Sequence, residues 1–187
     1  MIYKIFEDSQ NYQSFTLDVE DYLDLLDPHI GEQVAMQLGT LDVPVADFWK
    51  PLDVTYFQNE GTVALPDIGM WRPGFLILNQ KAEEALHDLL SPFGEFLPCN
   101  LPGGRCCLYH CLNSKPIEVD QISYRMHGET HVEVESLTFP EPLKDHIFKA
   151  RNEVSFDLFC SDEVVSRIDG AGLRGLLFSS ELSRLRP

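Results

Sequence analysis

Residues 74–120 read GFLILNQKAEEALHDLLSPFGEFLPCNLPGGRCCLYHCLNSKPIEVD, and this stretch decides the fold. Gly74-Phe75-Leu76-Ile77-Leu78 is a short apolar run with the length of a buried strand. Asn79 follows, and its side-chain oxygen suits it to cap a helix by accepting from an orphan N–H. Ala82, Ala85, Leu86, Leu89 and Leu90 then recur at the spacing of one helix face. Lys81, Glu83, Glu84, His87 and Asp88 fall on the other face. Ser91-Pro92 ends the helix, because proline keeps its predecessor out of helical geometry. Residues 95–99 read as a second strand, which Pro98 confines to an edge or to the strand's end. Residues 100–104 carry turn chemistry, residues 105–112 a third strand, and residues 113–116 break it. Strand, helix, strand, turn, strand predicts an α+β fold: a mostly antiparallel sheet with a few short helices packed on it.

Outward from this centre the pattern continues. Ile2-Tyr3-Lys4-Ile5-Phe6 alternates as a first strand, and residues 15–17 form a second. Residues 18–27 set Val19, Tyr22, Leu23, Leu25 and Leu26 among Glu20, Asp21, Asp24 and Asp27, an acidic helix ended by Pro28. Residues 30–38 add a helical turn or two, residues 39–51 a loop, and residues 52–57 a strand. Residues 59–61 turn the chain, residues 62–65 pair back, and residues 66–73 are a connection holding Trp71. Residues 121–126 and 131–139 pair antiparallel around Gly128, and residues 140–148 read as a short helix. Residues 154–160 are a strand, Ser161 caps a helix through Ile168, and residues 173–178 close with a strand. The polar, basic tail at 179–187 frays. The reading is one domain over residues 1–187, with 1–69 a candidate acidic subdomain.

The net charge of −16 is uneven. Residues 1–69 hold 13 acids and two bases, whereas residues 70–187 hold 17 acids and 12 bases. Such a field repels nucleic acid and anionic lipid and speeds encounter with a basic partner. No apolar run approaches the ~20 residues of a membrane span. Met1-Ile2-Tyr3-Lys4 does not open the long apolar core of a secretory leader. Five cysteines cannot all pair within the chain, so reduced thiols are expected. These features predict a cytoplasmic protein with neither nucleic acid nor membrane as partner.

Three motifs invite a chemical reading. Cys99, Cys106, Cys107, His110 and Cys111 suggest zinc, but zinc wants four converging ligands. Side chains along a strand alternate, so Cys106 and His110 point one way and Cys107 and Cys111 the other. Core thiols are the expectation, with no metal and no cofactor. Gly170-Ala171-Gly172-Leu173-Arg174-Gly175 matches G-x-G-x-x-G, yet the helix precedes it and the strand follows. Dinucleotide binding needs the reverse order, so this is a helix C-terminal turn. His131, Glu133 and Glu135 share one strand face and read as its solvent side. The segment with most functional promise is residues 18–27. Its Glu20, Asp21, Asp24 and Asp27, joined by Asp42, Asp47 and Asp53, can meet Lys and Arg of a basic protein. Trp49, Tyr56 and Trp71 are candidate aromatic anchors.

The order of signals also resembles a bacterial immunity-protein family, number eleven among the antitoxins of polymorphic toxin systems. The resemblance lies in Phe75-Leu76-Ile77-Leu78, the following helix, and Leu89-Leu90-Ser91-Pro92-Phe93-Gly94-Glu95-Phe96-Leu97-Pro98. It continues in Leu108-Tyr109-His110-Cys111-Leu112-Asn113, Asp120, His146-Ile147-Phe148-Lys149 and Gly172-Leu173-Arg174-Gly175-Leu176-Leu177-Phe178. Cys106, Cys107 and Cys111 fall outside its pattern. The resemblance implies a non-enzymatic antitoxin that neutralises a cognate secreted toxin, a nuclease above all, by stoichiometric occlusion. The candidate toxin-binding residues are then Glu20, Asp21, Asp24, Asp27, Asp42, Asp47, Trp49, Asp53 and Trp71. Two other readings stand beside it: a metal-dependent hydrolase using His131, Glu133 or the cysteine strand, and an acidic interaction module unrelated to toxins.

Overall fold

Phe75-Leu76-Ile77-Leu78 is buried on both faces, and the rest of the molecule is arranged on its two sides. The computed structural model describes residues 1–58, 61, 64–127, 131–139, 144–152 and 155–184. In chain order the elements are β1 (Ile2–Glu7), β2 (Ser14–Leu17), α1 (Val19–Ile30), α2 (Glu32–Gln37), β3 (Leu52–Phe57), β4 (Ile68–Met70), β5 (Phe75–Asn79) and α3 (Gln80–Leu90). They continue as β6 (Gly94–Leu101), β7 (Gly104–Cys111), β8 (Ser114–Lys115), β9 (Ile122–His127), β10 (His131–Leu137), β11 (Ile147–Arg151), β12 (Phe156–Ser161), α4 (Asp162–Gly170) and β13 (Leu176–Ser179).

The fold is α+β. A six-stranded sheet runs β2-β3-β6-β7-β5-β4, a five-stranded sheet runs β13-β1-β12-β11-β8, and β9 pairs with β10. Pairing is antiparallel except for β3 with β6 and β8 with β11. Leu76, Leu78, Cys107, Tyr109 and Cys111 face one core, shared with α3, α4 and the inner side of the five-stranded sheet. Phe75, Ile77, Leu97, Cys106 and Leu108 face the other, closed by α1, α2 and the chain that follows them. A third, smaller core lies between the five-stranded sheet and the β9–β10 hairpin. Each fully buried aliphatic or aromatic side chain contributes about 1.5–3 kcal/mol, so β5 and β7, buried on both sides, anchor both main cores. Residues 1–69 are spread over both sheets: β1 lies between β12 and β13, while β2, β3 and β4 extend the central sheet.

The reading of β5 and α3 holds in detail. Asn79 Oδ1 accepts from Ala82 N at 2.9 Å, and Ala82, Leu86, Leu89 and Leu90 are buried. Several expectations need correction. Helix α1 runs through Pro28 to Ile30, because Pro28 is exposed and the helix ends instead at Gly31, whose φ is +81°. The connection at 66–73 contains β4, a three-residue strand whose central glycine gives no alternation to read. The helix expected at 140–148 is replaced at its end by β11, whose buried run is disguised by Lys149; residues 140–143 lie outside the described residues. Residues 113–116 include β8, paired parallel with β11. Ser161 stands before α4 without capping it, its Oγ lying instead 3.2 Å from His146 Nδ1. The last strand begins at Leu176 rather than 173. Ala64 bridges to Tyr12, while residues 62 and 63, the turns at 59–60 and 128–130, residue 154 and the tail at 185–187 lie outside the described residues.

Pro98 is instructive. Strand β6 lies inside the sheet, yet the carbonyl of Pro98 accepts from Trp49 Nε1 at 2.8 Å, away from β7. In an antiparallel strand a residue's N–H and C=O point the same way. The missing N–H therefore faces outward too, just before β3 joins at Cys99. The glycine-rich stretch is the C-terminus of α4: Ala171 N donates to Arg167 O, Gly172 has φ +62°, and a strand follows.

Candidate protein-binding surface

Helix α1 starts at Asp18, whose Oδ1 accepts from Glu20 N at 2.8 Å and Asp21 N at 3.2 Å. Tyr22 and Leu26 are fully buried one turn apart, and Tyr22 Oη donates to Ala35 O at 3.1 Å. Burial raises the Tyr22 phenol well above its ordinary range, with nearby Arg72 acting against the shift. That anchoring turns Glu20, Asp21, Asp24 and Asp27 to solvent. Glu20 and Asp21 suit the helix N-terminus. Asp24 lies within one turn of all three others, and Asp27 stands in the last turn, where the dipole disfavours an anion. Among the described residues no cation pairs with these four or with Asp47.

The aromatic residues gather around Tyr22. Trp71 packs edge-on to it at 4.9 Å and Trp49 at 6.5 Å, both half-buried. The Arg72 guanidinium lies 4.9 Å from the Trp71 ring and 5.9 Å from Tyr22. Phe48 stacks on His29 of α1 at 4.4 Å, which places the exposed Asp47 beside the end of the helix. The structure thus brings Glu20, Asp21, Asp24, Asp27, Asp47, Trp49 and Trp71 into one region. Asp53 lies along β3, exposed, accepting from Asn100 Nδ2 at 2.8 Å. Tyr56 packs against Phe15 at 5.2 Å rather than joining this cluster. Asp42 is elsewhere: it pairs with Lys149 Nζ at 3.1 Å and accepts from Ser114 Oγ at 2.8 Å.

The segment between α2 and β3 makes few regular backbone bonds, and charged side chains hold it in place. Lys149, fully buried, donates to Gly39 O and Leu41 O as well as to Asp42. Burial lowers the Lys149 ammonium below its ordinary value, with Asp42 opposing. Glu95 accepts from Val45 N at 2.9 Å and Ala46 N at 3.0 Å. His110, also fully buried, sets Nδ1 3.1 Å from Glu95 Oε1 and Nε2 3.1 Å from Leu38 O. Gly39 and Gly74 cross so closely that a Cβ on Gly39 would sit 2.0 Å from Pro73 O. Sequence reasoning missed Glu95, Lys149, Phe48 and Arg72 as parts of this region. A signal existed for one of them: counting outward from a two-residue turn at Pro102-Gly103 sets Glu95 opposite His110.

The other motifs resolve differently. Cys106 faces the core under α1 while Cys107 and Cys111 face the opposite core, as strand alternation requires. All five cysteines are buried and unbridged. Burial pushes the Cys107 and Cys160 thiols up, and Cys111 up to about 11, which leaves them poor nucleophiles. Among the described residues no three of His, Cys, Asp and Glu converge as metal ligands. On the hairpin, Glu133 is exposed and Glu135 accepts from Arg125 Nη2 at 2.6 Å, while His131 pairs with His127 through the backbone. No helix is long and apolar enough to cross a membrane among the described residues. No protein-family model matches the chain, and no curated protein matches it.

Proposed function

We propose that this chain is an immunity protein, a non-enzymatic antitoxin that binds a cognate bacterial toxin and occludes it stoichiometrically. The observation that carries the reading is α1: four exposed carboxylates, without a cationic partner among the described residues, beside two half-buried tryptophans. Like charges within one turn cost a helix about 0.2–0.5 kcal/mol per pair, which works against what Glu20 and Asp21 gain at the helix N-terminus and leaves Asp24 and Asp27 unfavourable in the isolated protein. A basic partner would convert that cost into attraction, steer the encounter and fix its register. Trp49 and Trp71 would supply apolar anchoring at its centre. A nuclease suits this chemistry, because its substrate groove is basic and an acidic face can cover it. The proposed site of action is the cytoplasm, where the nucleic acid would be.

The test is co-expression with a toxin gene found beside this one. The expected result is rescued growth and a one-to-one complex that survives purification and weakens with salt. The triple variant Glu20→Lys, Asp24→Lys, Asp27→Lys should lose both. Rescue without a detectable complex would count against occlusion.

A further inference from the structure

We infer that Glu95 and His110 are a positioning pair, a charged bridge that fixes the 38–49 segment, and with it Asp47, Phe48 and Trp49, before any partner arrives. Three side chains stand abreast on the central sheet: Glu95 of β6, His110 of β7 and Phe75 of β5 are register partners. The imidazole lies against the Phe75 ring, 4.7 Å between centroids, and is sealed from solvent. Its two nitrogens meet two acceptors. Leu38 O can only accept, so Nε2 donates there. As a carboxylate, Glu95 can only accept, from Val45 N and Ala46 N as well as from the ring, so Nδ1 donates to Oε1. With both nitrogens donating, the ring is an imidazolium, and its charge is balanced by the Glu95 carboxylate.

The consequence lies in what each partner holds. Leu38 O opens the segment, and Val45 N and Ala46 N lie just before Phe48 and Trp49. Lys149 and Asp42 secure the carbonyls of Gly39 and Leu41 in between, and Trp49 Nε1 reaches Pro98 O on the strand that bears Glu95. A neutral imidazole could satisfy only one of its two acceptors, and one end of the segment would come loose. The pair thus sets the conformation in which the aromatic and acidic groups of the candidate surface are presented.

The purpose assigned to the pair rests on the proposed binding function, but its test needs no partner, so either can fail without the other. In the full chain labelled with nitrogen-15, the His110 ring should show both nitrogens in the protonated range at neutral pH. Glu95→Gln and His110→Gln should each raise hydrogen exchange at the Trp49 indole N–H and the Val45 and Ala46 amides. The expected rise is about tenfold, the ratio that loss of a charge-assisted hydrogen bond gives. Amides of α3 and α4 should keep their protection. The two changes combined should cost no more than either alone. A singly protonated His110 in the wild-type chain would overturn the inference, and that measurement decides the matter even where a variant fails to fold. Unchanged exchange at Trp49 in a folded variant would overturn it too.

Discussion

Replacing Lys149 by Met removes a buried charge that ties β11 to the chain after α2. The ammonium donates to Gly39 O, Leu41 O and Asp42 Oδ1 and is fully buried. Without it, two carbonyls in the interior lose their donor, at about 1–3 kcal/mol each. Asp42 costs less, because it is 41% exposed and water can take over. Against this stands a gain: methionine fills much of the lysine stem's volume and avoids the cost of burying an ammonium. The net loss should be about 2–4 kcal/mol, a large share of the 5–15 kcal/mol of an ordinary domain. Melting should fall by roughly 2–4 °C per kcal/mol for a chain of this size. The pH dependence carries an independent signature. Burial depresses the Lys149 pKa in the folded state, so the unfolded chain binds more protons between the folded value and 10.5. Wild-type stability therefore gains from this residue as pH rises through that window, and the methionine variant lacks that gain. Urea titrations followed by tryptophan fluorescence at neutral and alkaline pH measure both effects. A variant as stable as wild type at neutral pH, or one whose deficit shrinks as pH rises, would refute this account of the contact.

Glu7 offers the opposite sign. Its Oε1 is buried without a hydrogen-bond partner among the described residues, and burial raises its pKa despite a bond from Ser14. The folded state therefore favours the protonated acid. Its contribution is fully present below the unfolded value of 4.5 and is lost as pH rises through the folded value. Glu7→Gln should accordingly raise stability at neutral pH, with the difference vanishing in acid; calorimetry across pH 3–7, a span of about four units around the ordinary carboxylate range, checks it. Asp24→Asn with Asp27→Asn removes like-charge neighbours and an anion from the end of α1, and should stabilise the isolated protein by roughly 0.5–1 kcal/mol. If the proposed basic toxin docks on this face, the same change should weaken its binding, so a thermal melt and a binding titration should move in opposite directions. Gly39→Ala drives a Cβ to 2.0 Å from Pro73 O and 2.9 Å from the Phe75 ring, so the crossing with Gly74 must open. A loss of at least about 2 kcal/mol in urea is expected, as for other overpacked sites.

Legibility in the sequence followed the periodicity of apolar residues. Helix α3 was readable because Asn79, five apolar positions and Pro92 all agree on where it starts, faces and stops. The β6–β7 hairpin was readable from Pro102-Gly103 and the runs that flank it. Several misreadings centre on a polar or conformational residue whose local meaning its place in the fold overrides. Lys149 looks like the surface of a helix and is the interior of a strand, because three acceptors from another part of the chain receive its ammonium. Pro28 looks like a terminator and sits within α1, since its exposed position tolerates one missing bond. Asp42 looks like one more surface acid and is the partner of Lys149.

The same logic marks out the segment from Leu38 to Trp49. Its only regular pieces among the described residues are two short 3-10 turns, Leu38–Thr40 and Ala46–Phe48, which leave most of its path unspecified by local bonds. That path is specified at a distance, by His110 at Leu38 O, Lys149 at Gly39 O and Leu41 O, Glu95 at Val45 N and Ala46 N, and Pro98 O at Trp49 Nε1. Holding this segment through a buried lysine and a buried histidine–glutamate pair is costly, because polar groups taken from water must be matched one for one. Such expense is characteristic of functional segments, where local rules are broken and the remainder of the fold compensates. Here the segment carries Asp47, Phe48 and Trp49 to the flank of a helix whose Asp24 and Asp27 run against helix electrostatics. Two independent departures from the cheapest solution meet at one place, and that coincidence, more than net charge, supports this face as the one that meets a partner.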